Sequence, residues 1–432
     1  MHTLQKTINS FTKTISPFIL LGIGVLFIRL PPIYIAPIKS SFVMSHTIAR
    51  LLILLALALQ MYKRDGLKEI HTIPKVTLAL ISFWLFSQSL SIFGATNIYS
   101  FLDGYKDIFF GIMVFVSTFI VVSKKNTSNI IAILLGSSFI HLLFQNLIYF
   151  WPERMLRIFS ELIYSPYLDV LQYQFNRGRF FGDALDEVVI PLIIFVLVSK
   201  AKNVKKLIAM FLFGTITFIT IASNWRSKLV VYLLALFCSI IITRNYQKII
   251  PPLIGFILIL SIIFSNFVSL NTVGTNVLDR VIFDIEEEYR PIDARFNYWK
   301  EASSIGMSSP LYGVGVGNYY DNLSSLSQQY SQSSQVNRYK NFTVIDDPHN
   351  ILVSTFVSSG FLGLFAFILL FSYFFIDDLK SMYKNNLQLK MFVIIFWSIF
   401  AYSMFNPWIY FGYLGFLWFI RGVIEKISYE YS

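Results

Sequence analysis

The sequence predicts an all-α polytopic membrane protein, and three observations predict it. Of 432 residues 55% are apolar, only 14% are charged, and the apolar residues gather into long runs. A soluble globule averages about 25% charged residues, so this chain is too poor in polar groups to cover itself with a wettable surface. In hydrocarbon every backbone N–H and C=O needs a partner inside the protein, and a helix supplies its own.

Runs long enough to span a bilayer, roughly 17–25 residues, fall near 16–30, 42–61, 75–93, 102–122, 129–150, 183–199, 204–222, 227–243, 249–269, 351–375, 389–405 and 408–424, about twelve transmembrane helices in all. Residues 1–432 then form a single membrane domain. The first run continues through Leu30 into Pro31 and Pro32 with no small-residue cleavage pattern, which predicts a retained helix rather than a signal peptide. Cys238 is the one cysteine and lies inside an apolar run, so there is neither a disulfide framework nor a cysteine metal site to expect. The formal net charge of +11 would point to nucleic acid in a soluble protein. Here its placement matters more, and no nucleic-acid partner is expected.

Basic residues stay on the cytoplasmic side of short loops. With the N-terminus inside, the inner ends carry Lys63, Arg64, Lys68 and Lys75; Lys124 and Lys125; Lys200, Lys202, Lys205 and Lys206; Arg244 and Lys248; Lys380, Lys384 and Lys390; and Arg421 and Lys426. Two segments are too long to be simple connections and fall on the outer face: an amphipathic stretch at 151–182 and a large loop at 270–348 between late helices. Loops of that length are uncommon unless functional or disordered. The inner side holds 16 Lys and 3 Arg, the outer half 5 Lys and 11 Arg. Topology needs positive charge, not arginine, and the guanidinium fork is the shape that suits phosphate. The outer face therefore suggests an anionic ligand, with ordinary surface arginines as the alternative.

Arg226 stands in Ser223-Asn224-Trp225-Arg226-Ser227-Lys228, a tight outer connection between two apolar spans, where a charge is costly; it is either a functional group or a snorkelling arginine. Arg295 lies in Asp293–Ala302, whose spacing predicts a helix with Phe296, Trp299 and Ala302 on one face. The glycine-rich Ser309–Asn318 that follows lacks a βαβ frame for nucleotide binding; its glycines let the backbone approach a ligand or a neighbouring helix. His349, in Asp346-Asp347-Pro348-His349-Asn350 where the loop re-enters the membrane, is the candidate general base or else a helix cap. Asp183, Asp186 and Glu187 open the sixth span and Asp346 and Asp347 precede His349. These carboxylates could hold Mg²⁺, but neither set has a decisive ligand spacing, and no metal is expected. His46 and Arg50 share a helix face, as do Asp103, Lys106 and Asp107; Arg50 is either a ligand group or the partner of Asp103 or Asp107.

In order along the chain, Arg179-Phe180-Phe181-Gly182-Asp183, Ser223–Leu229, Arg295 with Trp299, Pro310-Leu311-Tyr312-Gly313-Val314-Gly315-Val316-Gly317-Asn318-Tyr319, and His349-Asn350 followed by Gly360-Phe361-Leu362-Gly363 resemble the O-antigen polymerase and O-antigen ligase superfamily. The resemblance covers roughly residues 175–365. Trp225 and Ser227 stand where the family has a pair of small residues, and Asp183-Ala184-Leu185 replaces a proline–asparagine step.

The resemblance implies a GT-C-like glycosyltransferase of the bacterial inner membrane, with its active site facing the periplasm. It would take a glycan linked to undecaprenyl pyrophosphate and transfer it to an acceptor hydroxyl without a cofactor. Carried over, Arg179, Arg226 and Arg295 bind the pyrophosphate, with Arg177, Asp183, Asn350 and Arg50 as further substrate-binding candidates, and His349 deprotonates or orients the acceptor. The proline-to-asparagine glycine block and the Asp-Pro-His-Asn junction look more like the polymerase than the ligase. A chain-length regulator and a flippase are the implied protein partners. A flippase identity for the chain itself is the rival reading; related halves and polar or broken helices near the midplane would support it, and the sequence shows neither clearly.

Overall fold

The computed structural model describes residues 16–29, 44–62, 69–151, 153–155, 157, 185–222, 226–243, 291–319, 321–322, 348–406 and 411–430. These residues form helices and turns, with no strand among them. In chain order the helices are α1 (Pro17–Arg29), α2 (Met44–Tyr62), α3 (Lys75–Leu90), α4 (Ile98–Val121), α5 (Thr127–Phe150), α6 (Ile190–Val198), α7 (Asn203–Ala222), α8 (Arg226–Thr243), α9 (Pro291–Met307), α10 (Ile351–Tyr383), α11 (Leu387–Ser403) and α12 (Phe411–Glu430). A helix overlaps each expected span except 249–269, which lies outside the described residues, but at 183–199 it is only the short Ile190–Val198, preceded by a 3-10 turn. Among the described residues five helical stretches, Lys75–Gly94, Ile98–Val121, Thr127–Leu147, Asn203–Thr220 and Ile351–Tyr383, are long and apolar enough to cross a membrane; Pro17–Arg29, His46–Tyr62, Ser227–Thr243 and Leu387–Ser403 are shorter apolar helices.

Local chemistry sets several helix starts. Asn97 accepts hydrogen bonds from Tyr99 N and Ser100 N to open α4, and Asn386 accepts from Leu389 N to open α11. An asparagine oxygen there satisfies amides that have no partner within the helix. The core lies where α3, α4, α10, α11 and α12 meet, around Trp84, Phe115, Phe374 and Trp418; the rings of Trp84 and Trp418 are 5.7 Å apart, and those of Phe115 and Trp418 are 5.8 Å apart. Phe86, Leu233 and Phe365 face outward, as lipid-facing side chains must.

One expectation about charge changes. Arg421 and Lys426, counted above among the inner loop charges, are buried within α12. Arg421 is held by Asp378 at 2.8 Å and Glu425 at 2.7 Å and lies 3.9 Å over the Phe374 ring, while Lys426 pairs with Glu69. A cation cannot stay buried without such partners; Asp378 stands on α10, Glu425 on α12 itself, and Glu69 ahead of α3.

α10 is broken. Gly360 has φ 64° and ψ −164° inside the helix, and the backbone groups freed there are taken up by the glycine-rich segment of the large loop. Val314 N donates to Val357 O (2.8 Å) and Gly315 N to Ser358 O (3.1 Å), while Phe361 N and Leu362 N donate to Pro310 O (2.7 Å) and Leu311 O (3.3 Å). A loop backbone zipped into the gap makes a broken helix tolerable in an apolar setting.

Candidate functional site

Arg226 is the first residue of α8, at the helix end whose free N–H groups and dipole favour an anion. Its neighbour Ser227 is buried and donates from Oγ to Asn406 Oδ1 at 3.3 Å. Asn406 in turn donates from Nδ2 to Tyr402 O at 3.0 Å, fixing the turn after α11. The same turn receives the other half of the site: Asn350 Nδ2 donates to Met404 O at 3.1 Å. Positions 226–227 and 349–350, far apart in sequence, are thus fastened to one five-residue stretch.

His349 has φ 59° and is the one non-glycine residue with positive φ among the described residues. Histidine is among the few residues that enter this region at all, at a cost on the order of 1 kcal/mol. What holds it there is the next residue, since Asn350 caps α10 by accepting from Leu352 N (3.0 Å) and Val353 N (3.1 Å). The cap is therefore Asn350, and His349 stands half-buried just before it.

α9, the helix that carries Arg295, docks on the short first half of α10. Ala302 and Ile305 are buried with Val357, and a Cβ at Gly306 would lie 2.7 Å from the Phe356 ring. This corrects the expected packing face: Ala302 belongs to it, but Phe296 is 59% exposed, with its ring edge-on to Trp299 at 5.4 Å. Small residues allow close approach at the C-terminal half of α9, so the contact lies there. Burial pushes the carboxyl of Glu301, on the same helix, above its ordinary range.

The loop is also tied to the α3–α4 connection. Asn318 is fully buried; its Oδ1 accepts from Asn97 N at 2.6 Å and Thr96 Oγ1 at 3.2 Å, and Ser100 Oγ donates to Asp321 Oδ2 at 2.8 Å. Of the two purposes open to the glycines, the backbone approach to neighbouring helices is the one observed: at Gly313 and Gly317, both with positive φ, a side chain would collide with the backbone of α10 and α4.

The other candidates lie elsewhere. Arg50 pairs with Asp107 and lies 5.4 Å over the Phe110 ring, the structural alternative among its two readings. Arg177, Arg179 and Asp183 lie outside the described residues, as do Asp346, Asp347, most of 151–182 and the Ser/Gln-rich part of the loop. Asp186 binds Arg29 at 2.9 Å and His141, and Glu187 accepts from Thr220 at 3.2 Å. Among the described residues no group of three or more His, Cys, Asp or Glu could hold a metal ion. Arg29 and His141 were not anticipated, although an ionisable residue within an apolar span, the signal that marked His46 and Arg50, marks them as well.

Residues 208–368 match the family model for O-antigen ligase. The chain carries a domain of the O-antigen ligase and polymerase superfamily. No curated protein matches the chain. The O-antigen ligase domain runs from α7 into α10 and contains Arg226, Arg295, His349 and Asn350. Members of the superfamily are membrane enzymes that act on lipid-linked glycans, and the match supports a function of ligase or polymerase type.

Proposed function

We propose that the protein is a polymerase of undecaprenyl-pyrophosphate-linked repeat units, acting at the periplasmic face of the inner membrane. The observation that carries a shared site is the turn at Tyr402–Asn406, to which both the Arg226 and the His349 positions are fastened. In the reaction the acceptor hydroxyl oxygen bonds to the anomeric carbon of the donor glycan and gives its proton to the His349 imidazole. The bond from that carbon to the pyrophosphate oxygen breaks, and its electron pair leaves with the carrier. Charge grows on the pyrophosphate as this happens, and arginines fixed at a low-dielectric boundary stabilise such growth strongly. Arg226, with Arg295 and Arg179, has that role; Arg177, Asp183 and Asn350 complete the substrate contacts. A flippase and a chain-length regulator would supply and limit the substrate.

The polymerase reading over the ligase rests on the Pro310–Asn318 and Asp347–Asn350 segments. Purified protein in liposomes, given synthetic carrier-linked repeat units alone, should produce longer carrier-linked chains. Product that forms only when lipid A core is added would make the protein a ligase.

A further inference from the structure

Asp186 and Glu187 lie side by side in the 3-10 turn that opens α6, each 2% exposed. Asp186 holds Arg29 of α1 at 2.9 Å with one carboxylate oxygen and His141 of α5 with the other. Arg29 donates further to Leu134 O (3.0 Å) and Ser137 Oγ (2.5 Å). Glu187 accepts from Thr220 of α7. Lys228 is buried in the first turn of α8, and the 3-10 turn that carries both carboxylates packs against α8, so Lys228 lies in the electrostatic field of both.

Arg29 and Lys228 balance the two carboxylates and His141 is a further basic partner, so the cluster has no surplus negative charge with which to recruit a cation. Nor does stability account for it, because well-packed apolar residues serve a buried site as well as an ion pair does. What distinguishes it is its place. Lys228 follows Arg226 by two residues and lies across the helix from that position, at about 100° per residue. Between them Ser227 is tied to Asn406. α8 thus meets two fixed elements, the turn that also holds Asn350, through Ser227, and the 3-10 turn that carries the acid pair.

We propose that Asp186, Glu187 and Lys228 are positioning residues for glycosyl transfer, clamping the first turn of α8 so that Arg226 meets the pyrophosphate in register. This rests on the function proposed above. Arg29 and His141 orient Asp186 within the clamp.

The test uses the full chain in liposomes with carrier-linked repeat units, and compares Glu187→Gln, Lys228→Met, Lys228→Arg and the exchange Glu187→Lys/Lys228→Glu. A small misplacement of a catalytic group costs on the order of 100-fold. Glu187→Gln and Lys228→Met should lower kcat by at least about tenfold with KM for the donor nearly unchanged, the mark of an interaction made in the transition state. Lys228→Arg keeps the charge and should retain most of kcat, and the exchange should recover part of it. Arg421→Met, which disturbs a buried cluster remote from α8, is the structural control. The proposal is overturned if the clamp variants turn over like wild type, or if their kcat falls only as far as that of Arg421→Met at equal folded amount. Should wild type be as inert as Arg226→Ala, the proposed function fails and takes the clamp with it; wild-type activity, a dead Arg226→Ala and fully active clamp variants remove the clamp alone.

Discussion

Val314 N–H donates to the carbonyl of Val357 at 2.8 Å, and through that bond a loop segment enters the hydrogen-bond ladder of a membrane helix. The break at Gly360 splits α10 into a short half that begins at the His349–Asn350 junction and a long half that runs on to Tyr383. α9 docks on the short half. The large loop is thereby built into the wall that carries the candidate base.

Gly360 has positive φ, and a side chain there would run into the backbone of Leu311. Gly360→Ala should therefore lower stability by roughly 1–3 kcal/mol or more, since alanine in this region carries both strain and collision. Thermal unfolding in detergent should show a lowered Tm, and limited proteolysis should show earlier cleavage within 291–322. A Tm equal to wild type would remove the zipper as a stabilising element.

Asn350 does two jobs, capping α10 and anchoring Met404. Loss of a cap costs about 1 kcal/mol, so Asn350→Ala should cost a few degrees of Tm. Glycan extension should fall much further than that, because His349 loses the residue that holds its backbone in place. Turnover per folded molecule, measured beside Tm, separates the two effects.

The spans were legible because lipid leaves the chain one economical choice, a run of apolar residues closed on its own hydrogen bonds. The break in α10 was not: Ser358-Ser359-Gly360 interrupts the apolar run without fixing a break there, and the groups that fill the gap come from Pro310–Gly315, a distant stretch. Asn350 as a cap was readable from residue type, whereas the fastening of Ser227 and Asn350 to Tyr402–Asn406 depends on tertiary packing that no local pattern encodes. The burial of Arg421 was hidden for a related reason. A positive residue near a helix end reads as a cytoplasmic anchor until the acid facing it is found, and Asp378 belongs to another helix.

Arg421 shows what a buried cation demands. Arg421→Met leaves Asp378 and Glu425 facing each other without their shared partner, a loss of about 3–5 kcal/mol. Membrane abundance and Tm should both drop sharply. Replacing Asp378 and Glu425 as well, with Asn and Gln, should recover much of the loss.

Arg50 and Asp107 form a pair that is mostly buried, with side chains 14% and 20% exposed. Arg50→Met alone should cost roughly 1–3 kcal/mol by stranding the carboxylate, and Arg50→Met/Asp107→Leu should return most of it. Glycan extension decides the second role proposed for Arg50. If Arg50 also binds substrate, the double variant regains its Tm and stays impaired in donor KM; if its work is structural, activity returns with stability.

The three groups assigned to the chemistry differ in what their loss should do. Arg226→Ala and Arg295→Ala remove charge stabilisation from the leaving pyrophosphate, a contribution on the order of 100-fold or more in kcat for one well-placed donor. Conservative Lys variants should restore only part of it, because an ammonium keeps the charge but not the fork. His349→Ala removes proton acceptance, typically 100- to 10,000-fold in rate, and also a residue held at φ 59°. His349→Asn tolerates the same backbone without a basic nitrogen, so it should match His349→Ala in activity while keeping a wild-type Tm. Full glycan extension by Arg226→Ala, Arg295→Ala and His349→Ala at normal membrane abundance would remove the mechanism; loss of extension in all three with insertion intact is the expected result.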